Sequence, residues 1–143
     1  MTSNKKTARI AGVIYLVIVL TGIFSLMYIP DRLIVWESAA TTFSNIVTNQ
    51  SLFRFGIVSH LVCYTFFLFL PLVLYKLLKP VNEMFARLMV ILAVVSVPIS
   101  FANIQNEFNI LSLISGENYL KIFSEDQLQS QVLLYLNYYD NGN

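Results

Sequence analysis

Charge is what this chain has least of. Only 12% of its 143 residues are Asp, Glu, Lys or Arg, against 57% hydrophobic. A soluble domain carries roughly 25% charged residues, so about half of the usual polar coat is missing. The formal net charge is +1. That excludes the strongly basic surface a nucleic-acid partner requires. Cys63 and His60 are the sole cysteine and the sole histidine. A lone cysteine excludes an internal disulfide. His60 and Cys63 stand one helical turn apart and could face one ion. A metal would still need two or more carboxylate or amide donors from another segment, so no metal site is expected. The chain also lacks a phosphate-binding glycine loop and a recognisable nucleophile–base pair. No enzymatic activity, catalytic residue or cofactor is therefore expected.

What fills the space is long apolar runs. From Ile10 to Pro30 no side chain is charged. At ~1.5 Å rise per residue, a helix of that length covers roughly 30 Å, the thickness of a bilayer's hydrocarbon core. Lys5, Lys6 and Arg9 precede this run as they would in a signal peptide. The run is too long for a secretory apolar region, and no small-residue cleavage site follows it. Two further runs lie at 55–75 and 88–106. The sequence thus predicts an all-α integral membrane bundle, a single domain with transmembrane helices at about 8–29, 55–79 and 86–110. Pro30 closes the first, Ser51 is the expected N-cap of the second, and Pro71 and Pro98 are expected to kink the second and third. The short link from Lys79 to Arg87 makes the last two an antiparallel hairpin.

Orientation follows from lysine and arginine placement. Lys5, Lys6, Arg9, Lys76, Lys79 and Arg87 fall on one side, and only Arg32, Arg54 and Lys121 on the other. The expectation is a multi-pass protein of the cell (inner) membrane with a cytoplasmic N-terminus. Tyr28, Trp36 and Tyr75 fall where an interfacial aromatic belt would lie.

Two amphipathic segments are expected on the outer side. In 37–50, Phe43, Ile46 and Val47 repeat at helical spacing after Ala39. After Ser124, which has capping-box spacing to Gln127, the residues Leu128, Val132, Tyr135, Leu136 and Tyr139 share one helical face. This segment reads either as a surface helix or as the start of a fourth span. The turn signal Asp140-Asn141-Gly142-Asn143 ends the chain.

Four strings carry a family resemblance: ARIAGVIYL at 8–16, NIVTNQSLFRFGIVSHL at 45–61, LYKLLKPVN at 74–82 and YLKIFSEDQLQSQVLLYLNYYDNG at 119–142. Together they resemble a bacterial multi-pass membrane family, domain of unknown function 4386. The resemblance implies an all-helical membrane domain with further spans, of which this chain carries roughly the N-terminal half. The expectation is a truncated member that seeks partners: the lipid bilayer, a second copy, or other membrane helices. The family supplies no activity and no site residue.

Polar residues at membrane depth are costly and mark interior faces or function. Ser96, Ser100, Asn103 and Glu107 form one stripe on the third span, expected to face the first two, and Asn106 broadens it. His60 stands near the outer end of the second span, at a similar depth. A candidate polar pocket therefore comprises His60, Ser100, Asn103, Asn106 and Glu107. The plainer expectation leaves Glu107 solvated and His60 bonded to a neighbouring backbone or amide group. For function, the leading expectation is a non-enzymatic structural or helix-association role. The alternative is a transporter-like or small-molecule-binding bundle that uses the pocket.

Overall fold

The structure, a computed structural model, describes residues 2–142. Among them every regular element is helical. Three helices are long and apolar enough to cross a membrane: Asn4–Leu33, Gln50–Leu78 and Glu83–Leu113.

The first is interrupted. It begins as α1 (Thr2–Ile23), widens into a π segment (Phe24–Tyr28), and resumes as α2 (Ile29–Leu33). The cause sits at Pro30, which has no N–H to donate and whose ring crowds the carbonyl one turn back. The Ile29 N–H accordingly reaches Phe24 O, five residues back. Thr21 and Ser25 add to the strain. Thr21 Oγ1 donates to Val17 O at 2.7 Å and Ser25 Oγ to Thr21 O at 2.8 Å. Hydroxyls that bond back to backbone carbonyls bend helices.

Next comes α3 (Ala39–Thr48), the expected amphipathic helix, capped by Ser38 Oγ accepting from the Thr41 N–H. Thr42 is wholly buried. Its hydroxyl accepts from Val35 N at 2.8 Å and donates to Val35 O at 2.9 Å, which pins the loop carrying Trp36.

The second long helix, α4 (Gln50–Leu78), starts earlier than the sequence suggested, with Asn49 rather than Ser51 at its cap. Asn49 makes no side-chain cap bond; its amide donates to Asn45 O instead. The turn out of α3 thus runs straight into α4. α5 (Glu83–Leu113) follows, capped by Asn82 Oδ1 on the Phe85 N–H. Both helices run unbroken through Pro71 and Pro98.

A short 3₁₀ turn (Asn118–Ile122) leads to α6 (Glu125–Asn141). Ser124 and Gln127 form the full capping box. α6 lies against α5 and α3. It is not among the helices long and apolar enough to span.

α4 is the centre of the molecule. α1 and α5 each pack along it and hardly meet one another. The densest core sits at the end that holds α3 and α6, where Leu33, Ile46, Ile104, Ile110 and Val132 are almost fully buried.

Candidate functional site

α4, α5 and α6 converge on one buried histidine–carboxylate pair. His60 Nδ1 lies 3.0 Å from Glu107 Oε2, with side chains 3% and 7% exposed. The antiparallel packing of α4 and α5 sets them at one depth, as the run lengths imply. The expectation of a solvated Glu107 is therefore corrected. The carboxylate lies beside α4 and α6, with its side chain 7% exposed. Tyr139 closes the cluster from α6, its hydroxyl 2.9 Å from His60 Nε2. Both imidazole nitrogens are thus engaged.

Aromatic rings box in the imidazole. Tyr64, one turn along α4, stacks on it at 6.1 Å and 11°. Tyr139 lies at 5.2 Å and 44°. The Tyr64 side chain also reaches Tyr139 and Ser100.

α6 is held by backbone as well. Asn103 Nδ2 donates to Tyr139 O at 2.8 Å, and Asn106 Nδ2 donates to Asn103 Oδ1 at 3.0 Å. Of the expected pocket residues, His60, Asn103, Asn106 and Glu107 therefore belong to one network, and Ser100 joins through Tyr64. The partner of Asn103 is α6, not the first two spans. Val132 and Leu136 bury the apolar face of α6 and so fix Tyr139 in place.

A cavity of about 110 Å³ adjoins the pair. His60, Glu107, Tyr139 and Asp140 line it together with Ser25, Leu33, Trp36, Phe53 and Leu136. The π segment delivers Ser25 and Leu26 to this wall. Tyr139, Asp140, Trp36 and Ser25 were not assigned to the site from sequence. Only the phase of α6, fixed by its capping box, hinted that Tyr139 faces inward.

The inner part of the polar stripe goes elsewhere. Ser96 and Ser100 line an open, mostly apolar groove of about 580 Å³ between α1 and α5, with Cys63, Tyr64 and Phe67 as its floor. The groove exists because α1 and α5 diverge over α4. Cys63 is buried, with its thiol 3.6 Å from Ile18 O. No group of three or more His, Cys, Asp or Glu residues is placed to hold a metal ion among the described residues.

Chemically the pair has two states. A carboxylate only accepts, so Glu107 in its charged form requires a proton on Nδ1. His60 is then neutral, Nε2 accepts from Tyr139, and the pair carries one negative charge. A second proton makes the pair neutral overall, with Nε2–H now donating to the tyrosine oxygen.

Fold and site together define an all-helical protein with three membrane-length helices and an ionisable cluster buried at one end. The sequence profile of a domain of unknown function, DUF4386, matches residues 10–143. The chain belongs to that family. No curated protein and no solved structure matches it.

Proposed function

We propose that the chain is a non-enzymatic, multi-pass membrane protein whose buried pocket takes up a small solute or proton, as a transporter-like or small-molecule-binding bundle would. In this reading the N-terminus is cytoplasmic, the membrane is the cell (inner) membrane, and the α3/α6 end faces outward. The observation that supports it is the His60–Glu107 pair, buried beside a cavity and bonded on both imidazole nitrogens. An ionisable pair at membrane depth is costly, and such pairs usually line solute or proton paths. A purely structural bundle would gain as much from apolar packing in the same volume.

Trp36 is the only tryptophan, and it lines the cavity. Its emission is therefore a native reporter. In detergent, wild-type emission is expected to pass through a transition as pH is lowered and the pair gains its second proton. His60→Gln removes the proton acceptor and should flatten that transition. A flat wild-type profile would mark the cluster as a sealed clamp between helices and return the chain to the helix-association role.

A further inference from the structure

The wall of the cavity has a chemistry of its own. Glu107 Oε2 is taken by His60. Glu107 also lines the cavity, with its side chain 7% exposed. A buried carboxylate thus forms part of the cavity wall. Asp140 adds a second carboxylate from α6, and no Lys or Arg among the described residues lines the space. With neutral His60, the wall carries two negative charges and no positive one. A wall of one sign attracts a ligand of the other. The remaining wall suits an organic cation. Trp36, Phe53 and Tyr139 supply aromatic rings, whose faces attract ammonium groups. Leu33 and Leu136 supply aliphatic surface.

Size narrows the choice. An apolar cavity of about 150 Å³ takes benzene, so about 110 Å³ admits something slightly smaller. A bare metal ion fits poorly. Calcium takes about six to eight oxygen ligands, and this wall offers two carboxylates and hydroxyls already engaged within the protein.

We propose that the cavity binds a short alkylammonium cation. The ammonium group lies between the Glu107 and Asp140 carboxylates, and the alkyl group lies against Phe53, Leu33 and Leu136. This assignment rests on the pocket reading above and names its ligand. Cation and proton compete. The second proton cancels the charge of the His60–Glu107 pair, so binding weakens as pH falls. Glu107 from α5, Tyr139 and Asp140 from α6, and Tyr64 from α4 are the titratable neighbours that set this competition.

The test is a titration of Trp36 emission in the full chain, with ethylammonium chloride against sodium chloride at equal ionic strength. Ethylammonium is expected to give a saturable change, and sodium none. Glu107→Gln should weaken the response about tenfold or more, because a buried charge loses its role. Asp140→Asn, at an exposed position outside the His60 pair, should weaken it severalfold. If Glu107→Gln loses its helical circular dichroism, Asp140→Asn decides alone. A non-saturable response, one that sodium reproduces, or a wild-type titration in Asp140→Asn overturns the assignment. A proton-driven transition with no ethylammonium response overturns the cation and leaves the pocket standing. Silence to both probes removes both.

Discussion

Thr42 shows how one hydroxyl can hold a functional wall. It satisfies both backbone groups of Val35 and is wholly buried. Thr42→Val keeps the shape and removes both bonds. Each buried group left unpaired costs about 1–3 kcal/mol. The expected outcome is a lower melting temperature together with shifted Trp36 emission, since the loop next to Val35 carries that ring. Unchanged emission with lowered stability would show that Thr42 holds α3 but not the loop. This role was not legible beforehand, because Thr42 reads as an ordinary position on an amphipathic helix. His60 and Glu107 were legible for a different reason. Run lengths fix depth, and depth brought the two together. Tyr139 was not legible as their partner. It stands 79 positions from His60, and only the docking of α6 brings it near.

At the scale of elements, the π segment carries the clearest consequence. A π turn holds one residue more than an α turn, and such bulges concentrate at functional sites. Deleting Leu26 should let the helix close into regular α form with Ile29 and Leu33 still facing the core, where both are buried. Deleting Val19, within regular α1, should instead rotate everything beyond it by about 100°. The expected result is a folded Leu26 deletion with a weakened Trp36 pH response, and an unfolded or unstable Val19 deletion. Circular dichroism on heating separates them; equal damage from both would mean the π segment is not an insertion in this sense. The presence of each long helix was readable, because long apolar runs are local signals; its ends were less so, since α4 begins at Gln50 and not at 55. The π segment was not, because a proline near a helix end ordinarily reads as a stop. Here α2 continues past it, held by the burial of Ile29 and Leu33.

For the whole molecule, the proposed orientation makes a direct claim about sidedness. With Cys63 replaced by Ala, a cysteine introduced at Ser38 or Asn118 should react with an impermeant reagent added outside. One at Asn4 or Asn82 should not. The reverse pattern would turn the bundle over and place the pocket at the cytoplasmic face. The all-helical, three-span architecture was legible in full, since the bilayer imposes both helix length and internal hydrogen bonding. The splay of α1 and α5 over α4 was not, because apolar helices of similar composition give no preference for which neighbours touch.

That splay also governs how damage combines. Ala11 on α1 and Ala93 on α5 are each 6% exposed, each pressed towards α4 from its own helix. Enlarging either to Leu overpacks one seam, at about 1–3 kcal/mol. Because α1 and α5 hardly meet, the two seams are energetically separate accounts of strain. The double variant should lose the sum of the single losses, within about 0.5 kcal/mol. Measured by denaturant-driven unfolding, a larger departure would reveal that α4 itself bends to pass strain from one flank to the other.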